Sequence, residues 1–245
     1  MRQLILVELL KLKRSLALLM VFACPLLVVI LNFGIALKQT PAAKFEAKHW
    51  EFFWLNVLAV WCYFMLPLFV ALITGLLNGI EYKNSTWRLM LTQPIGQRQL
   101  YFAKLILACL SIVIAQSALM GFSAISVLLL NLFGYTSEGA WSQPIFMRLL
   151  TLSVACLPIV VIHHSLSWVS SNIVVPLAAG VMVTLGILQV GSSGLWMYYP
   201  WTYSLMAVNG GSPQIQQQAL FLSLSSGVML AVVLGFALGK MQLKT

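Results

Sequence analysis

The chain contains no aspartate, and its acidic residues are five glutamates in 245 positions. Charged residues of either sign make up 8% of the sequence, against about a quarter in an ordinary soluble domain. So little charge cannot solvate a globular surface. With 61% hydrophobic residues and a mean hydropathy of +0.96, the sequence reads as an integral membrane protein. Cysteine is sparse too: Cys24, Cys62, Cys109 and Cys156 fall in four different apolar runs and form no Cys-x-x-Cys pair. In that setting a thiol behaves as a small apolar side chain, which excludes a disulfide framework or a cysteine metal site as an expectation.

Catalytic signatures are missing as well. The phosphate-binding loop needs two glycines with four residues between them, followed by Lys and Ser or Thr. Gly235 to Met241 has three residues between its glycines and no hydroxyl after Lys240. His163 and His164 are adjacent, so on a helix they diverge by about 100° and cannot share a metal as an i, i+4 pair does. Ser192-Ser193-Gly194 lacks the flanking glycine of a nucleophile elbow. No carboxylate lies at the middle of an apolar run, where a proton-coupled carrier would place one. The expectation is a protein without enzymatic activity, holding no cofactor and no metal of its own. The net charge of +9 invites a nucleic-acid reading, but the basic residues flank apolar runs as topology determinants do. No basic face remains to track a phosphate backbone.

What is present is apolar length. A membrane helix needs about 20 mainly apolar residues. Six runs approach that: 16–37, 53–79, 105–133, 145–169, 173–190 and 219–239. Arg2, Lys11, Lys13 and Arg14 precede the first run; Lys83, Arg88, Arg98 and Lys104 separate the second and third; Lys240 and Lys244 follow the last. An even number of spans puts these segments on one side, which the positive-inside rule makes cytoplasmic, with both termini. Lys38, Lys44, Lys48 and Arg148 fall on the other side. Val21 to Cys24 loosely resembles a lipoprotein cleavage box, but apolar sequence continues to Leu37 and a retained helix is expected. Trp50, Phe52, Phe53 and Trp54, then Trp196, Tyr198, Tyr199, Trp201 and Tyr203, read as aromatic belts at the outer interface.

Three segments outside the spans carry information. Residues 1–14 have Ile5, Leu9, Leu12 and Leu16 on one helical stripe, with Glu8, Lys11, Arg14 and Ser15 roughly opposite, as in a helix lying in the membrane interface. Residues 191–218 are aromatic, uncharged and broken by Pro200, Gly210, Gly211 and Pro213. They are too short to cross, so they read as a re-entrant or interfacial piece. The third segment, 81–104, is the longest polar interruption and holds four of the fourteen basic residues. Asn84, Ser85 and Thr86 are candidate N-caps for a short helix, Trp87-Arg88-Leu89-Met90-Leu91 would form it, and Gln93-Pro94 would end it. Such a helix suits insertion into a groove of a cytoplasmic partner, or rests on lipid headgroups. Glu81 at its root either serves that contact or pairs with Lys83 or Arg88. Within the spans, Gln116, Asn131, Thr184 and Gln189 either line a path or bridge helices, and Gly75-x-x-x-Gly79 and Gly235-x-x-x-Gly239 suit close helix packing.

Glu81, Ser85-Thr86, Arg88, Leu89-Met90-Leu91, Pro94, Arg98 and Lys104, in that order between the second and third spans, resemble the loop of ABC-2-type transporter permeases. The sequence departs at Ser85, where the family commonly has Gly. The span count, inside termini and N-terminal helix match along essentially the whole chain. Compactness makes it most similar to permeases of antimicrobial-peptide (lantibiotic or bacitracin type) immunity and export systems. The resemblance implies an all-α, type V exporter-like fold in a single transmembrane domain, 1–245, in the bacterial cytoplasmic membrane. It implies a partner ATP-binding subunit in two copies that carries ATP and Mg, and a second permease chain as homodimer or heterodimer. By position, the coupling helix would be residues 85–93, including Trp87, with Glu81 and Arg98 at its roots. Trp196, Tyr199, Pro200, Trp201 and Tyr203 would line an outer gate. The expected activity is outward movement of an amphiphile, a peptide antibiotic first and otherwise a lipid, glycan or drug. A membrane scaffold that docks an ATPase without transport, and an ion-coupled carrier, are the alternatives.

Overall fold

A computed structural model describes residues 2–13, 15–39, 41–83 and 96–238, except the side chains of Arg2 and Lys83. Every described element is helical. In chain order the helices are α1 (Arg2–Leu12), α2 (Leu16–Gln39), α3 (Ala47–Val60), α4 (Leu66–Lys83), α5 (Gln97–Leu132), α6 (Ile145–Ala155), α7 (Leu157–Val169), α8 (Val174–Val190), α9 (Tyr203–Asn209) and α10 (Pro213–Leu238). A π-helical turn, Trp61–Met65, joins α3 to α4 without interrupting the rod. Pro67 lies just beyond it and lacks the N–H that the regular ladder would use at that point.

Among the described residues, four helices are long and apolar enough to cross a membrane: Leu16–Gln39, Ala47–Tyr82, Gln97–Leu132 and Pro213–Leu238. The helix expected to run unbroken through 145–169 bends instead, by 43° between Ala155 and Leu157. Pro158 supplies the reason: it has no N–H to continue the ladder and sits in the first turn of α7, where proline is tolerated. Counted as one span, the bent pair makes five, and Val174–Val190 is a shorter apolar helix of 17 residues. The last helix begins at Pro213, six residues before the expected start at 219.

Burial follows the logic of a lipid solvent. Large apolar side chains point outward, as Leu27 and Ile30 do on α2, Met182 and Leu185 on α8, and Phe221 and Val233 on α10. Between helices, large apolar side chains such as Trp61, Leu66 and Phe69 share the interior with small polar ones: Ser111, Ser123, Ser165, Thr74, Thr184 and Ser223 are buried. Each of these hydroxyls donates to the carbonyl four residues earlier in its own helix, so none of these six protons is left unpaired. Close approach is visible at Gly180, where an added Cβ would lie 2.7 Å from the Ala71 Cβ, and at Gly227, 2.8 Å from the Leu157 Cβ. Gly75 packs in the same way against Ile173 and Pro176, but Gly79 faces open space, so the expected Gly-x-x-x-Gly stripe packs at one of its two positions.

The expected aromatic belt is largely internal. Trp50 and Trp54 are buried, and their indole N–H groups donate to the carbonyls of Thr136 and Ala140 in the turn between α5 and α6. Trp196 and Tyr203 are buried too, whereas Phe52 and Tyr198 face outward. A buried indole needs an acceptor for its one donor. These loop carbonyls provide two, so the aromatics tie loops to helices rather than marking a lipid boundary.

Candidate functional site

The N-terminal helix buries Glu8 together with Leu12. Glu8 is 2% exposed, while Leu6, Val7 and Leu10 are about half exposed or more, so the expected placement of Glu8 opposite the Ile5, Leu9 and Leu12 stripe is corrected. What draws Glu8 inside is a four-residue ion network. Lys104 of α5 reaches Glu81 of α4 at 2.6 Å and Glu8 at 3.3 Å. Lys11 of α1 reaches Glu8 at 2.5 Å and Glu81 at 3.0 Å. Lys104 also donates to the carbonyl of Leu77 at 2.7 Å. Glu81 and Lys104 are fully buried, and two carboxylates against two ammoniums sum to no net charge. Such a set is tolerable in a low-dielectric interior because each charge has two partners. Burial alone would pull the Lys11 ammonium down; its hydrogen bonds to Glu8 and Glu81, and their charges, outweigh this and hold it above its ordinary value of 10.5.

Among the described side chains, Glu81 pairs with Lys11 and Lys104. The expected pairing with Lys83 or Arg88 falls on groups outside the described side chains. The sequence signal for Lys11 and Lys104 was present, since Lys104 belongs to the same loop pattern and Glu8-x-x-Lys11 is an i, i+3 ion pair. Arg98 lies six residues, nearly two turns, before Lys104 on α5, over the ring of Phe236 at 4.8 Å, which draws the end of α10 toward the same end of the bundle. The expected coupling helix, with Ser85, Thr86, Trp87, Arg88, Leu89, Met90, Leu91 and Pro94, lies outside the described residues. Its two flanks, α4 at Glu81 and α5 at Lys104, are joined by the network.

Deeper in the bundle a neutral polar cluster continues from the ions. The Asn78 amide donates to the Ser167 hydroxyl at 2.6 Å and approaches Nδ1 of His164 at 3.2 Å. His164 Nε2 faces the Tyr101 carbonyl at 3.2 Å, and the Tyr101 and Ser165 hydroxyls lie 2.7 Å apart. Among the expected span polars, Gln116 bridges α5 to the α6–α7 bend, taking a hydrogen bond from Ser153 at 2.9 Å and approaching Cys156 Sγ at 3.8 Å. Thr184 bonds within its own helix.

The segment after α8 turns back into the bundle. Two short 3-10 turns, Gly194–Tyr198 and Pro200–Thr202, lead into α9. The Trp201 indole donates to Nε2 of His163 at 3.2 Å, and the Tyr199 hydroxyl donates to the Val183 carbonyl at 2.7 Å. Tyr199 fits only because residue 186 is glycine: an added Cβ there would overlap its hydroxyl. His163 lies six residues before the end of α7, about 9 Å along the helix, so Trp201 reaches well inside the span. Trp196 and Tyr203 pack with Ala155 at the bend and Ala219 of α10. Of the expected outer-gate residues, Trp196 packs edge-on with Tyr203, Tyr199 packs with Trp201 against the main core, and Pro200 opens the second turn.

A family model described as ABC-2 family transporter protein matches residues 4–188, from α1 through nearly all of α8. The chain belongs to the ABC-2 transporter family. No curated protein and no solved structure matches the chain. Membership, with the apolar helices, makes this ABC-2 permease a multi-pass membrane protein and implies association with an ATP-binding cassette subunit. All four members of the ion network lie inside the matched stretch, while the re-entering aromatics and α10 lie beyond it. No group of three or more potential metal ligands occurs among the described residues.

Proposed function

We propose that this permease is the membrane-spanning subunit of an ATP-driven exporter. Two copies of a separate cytoplasmic subunit bind ATP and Mg, and a second permease chain, identical or a sibling, completes the pathway. The carrying observation is the buried network of Glu8, Lys11, Glu81 and Lys104. It fastens α1 and both flanks of segment 84–95 into one unit. A push at residues 85–93 is then delivered to α4 and α5 together. The outer aromatics, held by His163 and the Val183 carbonyl, form the exit-side constriction that this movement opens. The cargo is an amphiphile, a peptide antibiotic first.

The test is ATP hydrolysis by the purified permease with its ATP-binding subunit, with and without amphiphilic cargo. Cargo should raise hydrolysis in the wild type and fail to do so in Arg88→Glu, whose reversed charge sits in the coupling segment. Hydrolysis indifferent to every cargo, with the complex intact, would favour a docking scaffold instead.

A further inference from the structure

The chain has so few acidic side chains that each can be followed. Of the five glutamates, Glu8 and Glu81 are engaged with Lys11 and Lys104, and Glu46 pairs with Lys48. Glu46, Glu51 and Glu138 all lie beyond the far end of α2, a helix about 36 Å long. Lys13, in the turn between α1 and α2, is exposed, and its ammonium makes no ion pair or hydrogen bond among the described residues. With no aspartate in the sequence, no acidic side chain of this chain remains for it. The counter-charge of Lys13 comes from outside.

Lys13 stands on the lining of a half-open cleft of about 490 Å³ between α1, the first turns of α2, and α5. That volume is in the range of small-molecule sites. Apart from the lysine the walls are hydrocarbon, from Leu9, Val21, Ile73, Leu107 and Ile114. The lining hydroxyl, Ser111, gives its proton to the Leu107 carbonyl. Helix α2 is a membrane-crossing candidate that begins at Leu16, so Lys13 lies at the level of lipid headgroups. From there the cleft follows α5 away from Lys104, Leu107 to Ile114, for about 10 Å into the apolar layer. Leu18, Leu110 and Ile114 on its edge are exposed, so it opens sideways toward lipid.

A cation at headgroup level and a hydrocarbon wall beyond it match one anionic group joined to an apolar chain. We propose that this cleft seats an acyl chain of an anionic phospholipid from the surrounding bilayer, with the headgroup phosphate at Lys13. A choline lipid brings its own cation to a place where the protein has no free carboxylate, and it binds more weakly. Basic residues at a membrane surface attract anionic lipid loosely and from any side; here the cleft also fixes where the acyl chain lies. The site is a property of this chain and does not depend on the exporter reading.

Native mass spectrometry of the purified full chain in detergent compares phosphatidylglycerol with phosphatidylcholine of identical acyl chains. The wild type should retain the glycerol lipid better. Lys13→Gln, a change at an exposed side chain, should cut that preference about fivefold, the worth of one lysine near a lipid surface. Lys13→Arg should keep it. Position is read separately in vesicles, with phosphatidylglycerol that carries a photoactivatable group midway along one acyl chain. The label should concentrate on residues 107–114 of α5 and 17–21 of α2, and less so in Lys13→Gln. Equal retention of the two lipids by the wild type, or a preference that folded Lys13→Gln leaves unchanged, overturns the proposal. So does label no denser in the cleft than on the exposed apolar faces of α8 and α10. Failure of this preference leaves ATP-driven export untouched, and an inactive exporter leaves the lipid preference standing.

Discussion

Glu81 and Lys104 face each other at 2.6 Å with both side chains fully buried. Removing one charge of such a pair strands the other, a larger loss than the pair's net worth. Glu81→Gln should therefore destabilise the detergent-solubilised protein by on the order of 3 kcal/mol in a thermal or denaturant melt. Lys11→Gln, at the partly exposed edge of the network, should cost about 1 kcal/mol. Equal losses would mean that the four charges are not graded by burial. Lys11 also gives the network a pH signature. Its folded value is raised, so its stabilising contribution is complete below pH 10.5 and disappears as the pH climbs through the higher folded value. Melting followed across that range should fall more steeply for the wild type than for Lys11→Gln. Some of this was legible in advance. Glu81, Arg98 and Lys104 stood out as a pattern, and Glu8 and Lys11 stood one helical turn apart. That Glu8 would turn inward was not read from the sequence, although it lies four residues before the buried Leu12 and so on the same side of α1.

At the scale of elements, the sequence places helices well and their faces poorly. In lipid, leucine gains little from facing another helix, so apolar periodicity does not mark the packed side. The markers are small and polar residues instead: Gly180 against Ala71, Gly227 against Leu157, and Asn78 with Ser167 and His164. The break at Cys156 was written in Pro158, a residue easily lost within a 25-residue apolar run. The two aromatic groups had the composition of an interfacial belt, and only the carbonyls of Thr136 and Ala140 and the ring of His163, distant in sequence, make them internal. Glycines of α4 and α8 provide a direct check. Gly79→Ala enters open space and should raise stability by roughly the helix-propensity difference, up to 1 kcal/mol. Gly180→Ala drives a methyl to 2.7 Å from Ala71 and should lower it by about 1–3 kcal/mol. Melting temperatures of the two variants moving in the same direction would contradict this helix interface.

For the whole molecule, the architecture separates two regions of opposite chemistry. The end bearing α1 concentrates ions, with Glu8, Lys11, Glu81 and Lys104 joined and Arg98 seated on Phe236. The re-entering segment is uncharged and aromatic, and it reaches the same α7 that carries the polar cluster around His164. Helix α4 carries Glu81 and packs along α7, which meets Trp201 through His163, so a movement imposed at the ionic end has a contiguous route to the aromatic segment. Family membership assigns this body to a permease; the proposal adds that the ionic end receives work from a partner and the aromatic segment yields to it. The direct measurement is cargo movement in sealed vesicles containing the permease and its ATP-binding subunit. The account predicts outward transport of an amphiphile that needs ATP and the partner and is lost in Arg88→Glu. Transport that persists after the partner is removed, or an assembled complex that hydrolyses ATP and moves no cargo, would contradict it.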